Sequence, residues 1–400
     1  MNLEERFLKY VSFDTQSQEN STTFPSTLKQ HELANYLVDE LHNLGIENAS
    51  KDQYGYVYAK IEGTLPQTIG LIAHVDTALE LTGANVKPRI IPSYDGSDIT
   101  FPNGLKMTPA DFPVLSTLKG CRLITTSGDT LLGADDKAGI AIIMTLVDKI
   151  RKQNAKYPSI FVCFTPDEET GDGTKFFNYD LYKVDFAYTL DGADIKYLNY
   201  ECFNAATAII TINGKSIHPG EAKDKLVNSL EVAHEFHGML PKMMKPEHTT
   251  GYEGFNHLNN VEGGVQQTTL HYIIRNHDFA LFEEQKQEFL NISNALNQKY
   301  GDNTVQVQLI ESYRNMKELI EPHHEIIDYP IEALRRHGIT CEIVPIRGGT
   351  DGARLSYNGI LCPNLGTGSY NHHGPFEIAN ITQMEQMVDV LITMLTEVIH

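Results

Sequence analysis

No stretch of the 400-residue chain is apolar for long enough to span a bilayer, which sets aside a helical membrane protein. The opening residues, MNLEERFLKYVSF, lack a basic head followed by a long apolar core. They do not read as a secretory signal, so the expected location is cytoplasmic. Cysteine is scarce and unpaired: five residues (Cys121, Cys163, Cys202, Cys341, Cys362), scattered, odd in number and without a CxxC spacing. That pattern fits free thiols in a reducing compartment and argues against a disulfide framework or a thiolate zinc site. Positive charge is short as well, with 32 Lys and Arg against 52 Asp and Glu, a formal net charge of −20. Without a basic surplus, nucleic acid and anionic membrane drop out as expected partners. The chain also lacks low-complexity tracts and internal repeats.

What is present is an alternation of helical and strand patterns. Four hundred residues exceed one ordinary core, so two domains are expected. STLKQHELANYLVDELHNLG reads as an amphipathic helix with Gly45 as its C-terminal cap. YGYVYAKI, TIGLIAH, SIFVCFT and DFAYTLD read as strands, the second nearly all apolar, as a strand buried on both faces should be. DDKAGIAIIMTLVDKIRKQ is a helix, and Ala78 to about Thr130 reads as loops with a hairpin at YDGSDITF. The middle changes character: AATAIITING, TTLHYIIR and VQVQLIESY are strands, separated by helices near Leu226–Gly238 and Phe279–Tyr300. After it, HEIIDYPIEALRRHG, CEIVPI and a last helix from Thr382 resume the first pattern. The expected fold is α/β: a mostly parallel-sheet catalytic domain (1–204 and 316–400) with an inserted α+β lid domain (205–315).

Candidate metal and acid–base residues fall at predicted strand ends, where open α/β sheets place their ligand sites. His74 ends a buried strand, and Asp76, two residues on, points the same way in extended chain. Asp76 can therefore brace the His74 ring, although a core histidine beside a turn aspartate would look the same. Asp135 and Asp136 lie between a glycine turn and a helix, where capping is the bland alternative. TPDEETG ends an apolar run in Asp167, Glu168 and Glu169. If the chain stays extended there, the adjacent glutamates face opposite ways and can do different work. Asp191 ends another strand, and His372 and His373 sit in a glycine-rich loop. Together these groups fit an oxygen and nitrogen site for two divalent ions bridged by a carboxylate, with cations ~3.5–4 Å apart.

The motifs AHVDT, LLGADDKAGIA, TPDEETGDGTKFF, HPGEAKDKLVNS, IRGGTDGARLS and NLGTG…HHG run in order from residue 73 to 374. In this they resemble the dinuclear-zinc exopeptidase family, which also holds carboxypeptidase G and acyl-amino-acid deacylases. LLGADDKAGIA and RGGTDGARLS match its peptidase T branch of tripeptide aminopeptidases. The resemblance implies that His74 and Asp191 bind one cation, Glu169 and His373 the other, and that Asp135 bridges them. It implies a cis peptide between Asp135 and Asp136, Glu168 as general base and Asp76 as orienting carboxylate. It makes the inserted domain a lid, with a homodimer through it, and gives His218 an oxyanion role. Arg275, Arg347 and Arg354 become candidates for the peptide carboxylate, which a guanidinium meets with two donors. The implied activity is release of the N-terminal residue from short peptides, with a dipeptidase or N-acyl-amino-acid deacylase as the alternative. The implied cofactors are two divalent cations, zinc first, with manganese or cobalt as substitutes. After Asp191 the run DGADIKYLNYECFNAA departs from the branch, since Lys196 and Tyr197 change the local charge and bulk.

Overall fold

The computed structural model describes residues 1–399, which divide into two compact units. The first comprises Met1–Tyr200, Glu318–Val344 and the chain from Thr350; the second comprises Glu201–Lys317 with Pro345–Gly349. The sequence reading left 345–349 with the larger domain. Backbone bonds explain the difference: Phe203 N–H donates to Gly348 O at 3.3 Å, and Ile346 N–H donates to Glu201 O at 2.8 Å.

The first unit is built on strands that are apolar almost throughout. Four of them are β1 (Val57–Ile61), β2 (Leu65–His74), β3 (Pro158–Thr165) and β4 (Phe186–Leu190). Every residue of β3 is buried, as expected for a strand covered on both faces. The eight-stranded sheet runs Ser50–Lys51, β1, β3, β2, β4, Asn364–Leu365, Tyr197–Asn199, Glu342–Ile343. Four of its seven ladders are parallel, including β2 with β3 and β2 with β4. Because β3, β2 and β4 are adjacent and parallel, His74, the turn after Thr165 and Asp191 leave the sheet at one rim.

Two helices serve that rim. The amphipathic segment forms α1 (Gln30–Asn43), and the ADDKAG segment forms α2 (Ala134–Ile150). A Cβ at Gly139 of α2 would lie 2.0 Å from the Leu190 carbonyl, so glycine is what lets the helix approach the end of β4.

The stretch 78–130 is more ordered than its sequence implies. Its hairpin joins Ile99–Thr100 to Lys106–Met107, displaced from YDGSDITF. Arg89–Ile91 pairs with Leu123–Thr125, which pairs in turn with Ile378–Asn380 and so with Ser369–Tyr370. Those last two strands flank the loop carrying His372 and His373. Long-range pairing of this kind leaves no local signal in sequence.

The second unit is an antiparallel sheet ordered β6–β7–β5–β8: β5 (Asn204–Asn213), β6 (Phe255–Gly264), β7 (Gln267–Asn276) and β8 (Val305–Tyr313). Its residues alternate between buried and half-buried along β5 and β7, and the buried face packs on α3 (Ser229–Met239) and α4 (Phe279–Tyr300). Ile210, Tyr272, Phe236, Phe282 and Phe289 form the centre of that core. Strand β6, FNHLNNVEGG, escapes the sequence reading. It is an edge strand, largely exposed and rich in Asn and Gly, so neither burial nor propensity marks it.

Candidate metal centre

His74 closes β2 and is 2% exposed. Its Nε2 lies 3.0 Å from Asp135 Oδ1 and 3.7 Å from Asp191 Oδ1. Its Nδ1 faces Asp76, 3.1 Å from the carbonyl oxygen and 3.3 Å from Oδ1. The Asp76 carboxylate also accepts the backbone N–H groups of Glu168 (3.0 Å) and Glu169 (3.2 Å). One buried aspartate thus ties the histidine to the acidic turn after β3.

Asp135 stands at the centre. Its Oδ1 faces His74, and its Oδ2 lies 3.5 Å from His373 Nε2 and 3.5 Å from His372 Nδ1. His373 Nε2 is 3.1 Å from Glu169 Oε2. Two groups of potential ligands result, His74–Asp135–Asp191 and Asp135–Glu169–His373, each with its donor atoms within 4.8 Å of one another. Asp135 is common to both. The Asp135–Asp136 peptide is cis, and Asp136 points elsewhere, accepting the N–H groups of His74 (3.2 Å) and Gly139 (3.1 Å).

The acidic triplet is a turn, not the extended chain that alternation assumed. Gly171 N–H donates to Glu168 O at 2.6 Å, and Asp172 N–H donates to Asp167 O at 3.0 Å. Asp167, at φ 56°, turns its carboxylate away toward α1. There it accepts Ser26 N–H (2.6 Å), Gln30 Nε2–H (2.7 Å) and the Ser26 hydroxyl. Alternation along an extended strand therefore does not describe Glu168 and Glu169, which lie in a hydrogen-bonded turn.

The electrostatics follow from burial among like charges. Burial, followed by the charges of Asp191 and Asp351, pushes Glu168 well above the usual carboxylate range. Burial raises Glu169 to about 7, although its hydrogen bond with His373 opposes the rise. Burial pulls the His74 imidazole down, but the hydrogen bonds with Asp135 and Asp191 outweigh it and leave it raised. Hydrogen bonds with Asp135 and then Glu169 raise His373 to about 11. Burial would raise Asp135, but the surrounding histidines, His372 first, hold it well below its ordinary value.

Divalent cations fit this donor set. It is all carboxylate oxygen and imidazole nitrogen, with one carboxylate serving both groups. Glu169 Oε1 is buried without any hydrogen-bond partner, an acceptor left open on the side of the shared aspartate's group.

Of the other sequence candidates, Arg354 lies in the first unit, on α5 (Asp351–Tyr357), half-buried and without an ion pair among the described residues. His218, Arg275 and Arg347 belong to the second unit. His218 is exposed, and its Nδ1 accepts Gly220 N–H at 3.2 Å. Arg275 donates to the carbonyls of Ile274 (2.9 Å) and Ala206 (3.2 Å). Arg347 donates to Gly251 O (2.7 Å), Glu253 O (3.0 Å) and Thr249 Oγ1 (3.0 Å), and its guanidinium lies over Phe203 and Phe255. These bonds give Arg347 a packing role inside its own unit.

Two carboxylates went unselected in the sequence. Glu377, 1% exposed, accepts the N–H groups of Leu132 (2.7 Å), Gly133 (2.8 Å) and Asp135 (3.0 Å), and so holds the loop that presents Asp135. Asp351, 4% exposed, accepts the Thr165 hydroxyl at 3.0 Å at the end of β3. Glu377 closes NLGTGSYNHHGPFE and Asp351 sits in RGGTDGARLS, so both lay inside stretches already singled out. Only their depth and bonds distinguish them.

Residues 200–302 match the peptidase dimerisation domain family. Over 394 residues the chain is 47% identical to peptidase T of Caldanaerobacter subterraneus subsp. tengcongensis, covering 97% of this chain and 96% of that one. The fold superposes on the aminopeptidase PepT from Bacillus cereus with a TM-score of 0.79 at 20% identity, covering 99% and 98% of the two chains. It also superposes on the Bacillus subtilis YXEP protein, described as a dinuclear metal-binding peptidase of the M20 family, with a TM-score of 0.65 at 13% identity, covering 98% and 96%.

Proposed function

The chain belongs to the peptidase T family, and from that premise we propose that it is a metal-dependent aminopeptidase that releases the N-terminal residue of tripeptides. The observation that carries the reading is the pair of three-ligand groups sharing Asp135, with Glu168 alongside and outside both. His74 and Asp191 would hold one divalent ion, Glu169 and His373 the other, and Asp135 both. When bound, such a pair acidifies a water and polarises a scissile carbonyl. Glu168 takes the proton from the attacking water and returns it to the leaving amine. Asp76 fixes the His74 ring and the backbone from which Glu168 and Glu169 project.

Zinc is the first choice of metal, and the same donors accept manganese or cobalt. Arg354, without an ion pair among the described residues, is the arginine this reading keeps for a peptide carboxylate, while His218 keeps the oxyanion role that the family resemblance implies. A His218→Ala variant tests that role through kcat. A cytoplasmic place in peptide breakdown and a homodimer through the second unit complete the proposal. Light scattering reads the assembly. No helix among the described residues is long and apolar enough to cross a membrane.

The test is a panel of free and N-blocked di-, tri- and tetrapeptides, run after chelation and again with each metal restored. The expected result is metal-dependent cleavage of free tripeptides first. Equal cleavage of blocked peptides would favour the deacylase reading.

A further inference from the structure

Asp351 is a buried carboxylate at the rim with half of its bonding capacity open. It begins α5, and its Oδ2 accepts the Thr165 hydroxyl at 3.0 Å. Thr165 pairs in register with His74 and lies three residues before Glu168. Oδ1 has no hydrogen-bond donor among the described residues, and Arg354, one helical turn on, forms no ion pair with it. Gly173 makes room for this arrangement: a Cβ there would fall 2.3 Å from Oδ1.

Apart from Glu168, the other carboxylates of the rim are occupied. Asp76 holds two backbone N–H groups, Asp136 another two, Glu377 three, and Asp167 the Ser26–Gln30 pair. Asp135, Glu169 and Asp191 belong to the two ligand groups, which would hold the cations, and Glu169 Oε1 is free to serve as a donor there.

An aminopeptidase removes a single residue, so its substrate carries an ammonium two bonds from the carbonyl carbon under attack. That ammonium must enter beside the reacting centre, where little water remains to solvate it. A buried ammonium requires a carboxylate partner. Resting on the aminopeptidase reading, we infer that Asp351 Oδ1 receives the α-ammonium of the substrate's first residue and so sets the requirement for a free N-terminus. Thr165 holds the other oxygen and fixes the carboxylate plane. Glu168 is left for the water.

The experiment compares trialanine with propionyl-Ala-Ala, the same molecule without its amine, on metal-loaded wild type and Asp351→Asn. Wild type should prefer trialanine. The variant should lose about 10–100-fold in kcat/KM on trialanine, mainly through KM, the scale of one charge-assisted hydrogen bond. On propionyl-Ala-Ala its kcat/KM, or its Ki where turnover is too slow to follow, should stay within about twofold of wild type. Metal content and the melting temperature establish that the variant is folded and loaded. If it is not, Asp351→Ser carries the same comparison. An unchanged preference in a folded, loaded variant overturns the role of Asp351 while leaving the aminopeptidase reading intact. Equal use of both substrates by wild type overturns that reading, and the inference with it.

Discussion

The sheet of the second unit separates polar from apolar residues across its faces, whereas the sheet of the first separates them along its strands. Strand β5 alternates buried and half-buried positions, and its buried set packs on two helices. Strand β3 is buried at every position and then gives way to Asp167, Glu168 and Glu169. Seven Asp and Glu residues are buried among the described residues, and five of them (Asp76, Asp136, Asp167, Asp351, Glu377) stand at the rim of the first sheet. Both units pack apolar cores, and the first also concentrates buried charge at its strand ends. The first arrangement holds a fold together, while the second costs stability and is tolerable where each charge has a partner or a task.

Variants should keep the two roles apart. The largest effect belongs to Asp135→Ala, which removes the carboxylate shared by both ligand groups: elemental analysis should find both metals lost and turnover at background. Phe289→Ala, in the core of the second unit, should cost about 3–5 kcal/mol in denaturant unfolding, with the ligand groups of the first unit untouched. Glu377→Gln disturbs the loop behind Asp135 and should weaken metal binding about 10–100-fold by chelator competition.

Removing the metals should make the first unit sensitive to pH. Glu169 and Asp351 are both raised to about 7, chiefly by burial. A carboxylate raised on folding contributes stability below its unfolded value, and that contribution is lost as pH rises through 7. His373, raised to about 11, pulls the same way. Asp135, held low, acts only at more acidic pH. The melting temperature of chelated protein should therefore fall between about pH 5 and 8, and restoring metal should flatten the profile. The smallest effect is at the surface of the second unit, where Lys299→Ala breaks a solvent-exposed 2.7 Å pair with Glu235 and should leave the denaturation midpoint nearly unchanged.

The same contrast decides how much of the molecule was legible in sequence. Near-continuous apolar runs announced β2, β3 and β4, because burial on both faces leaves that pattern, and β5, β7 and β8 were also read as strands. Edge strand β6 and the short strands around 89–125 left none, since distant pairing partners define them. Strand ends marked the acidic and histidine segments, the family resemblance singled out His74, Asp135, Glu169, Asp191 and His373 within them, and the fold brings all five together. Asp351 and Glu377 were not selected. A carboxylate that holds backbone N–H groups, or one with an open oxygen, looks in sequence like any acid in a loop. The turn at Glu168 and Glu169 was hidden for a related reason: Asp167 adopts its left-handed conformation because Ser26 and Gln30, far away in the chain, hold its carboxylate.

The central claim is that two adjacent glutamates of one turn do different work, Glu169 holding metal and Glu168 moving a proton. Metal stoichiometry and tripeptide turnover, measured together on Glu168→Ala and Glu169→Ala, test it most directly. The account predicts full metal content with turnover lowered about 10²–10⁴-fold in the first variant, and lost metal in the second. Near-normal turnover in Glu168→Ala, or full metal content in Glu169→Ala, would contradict it.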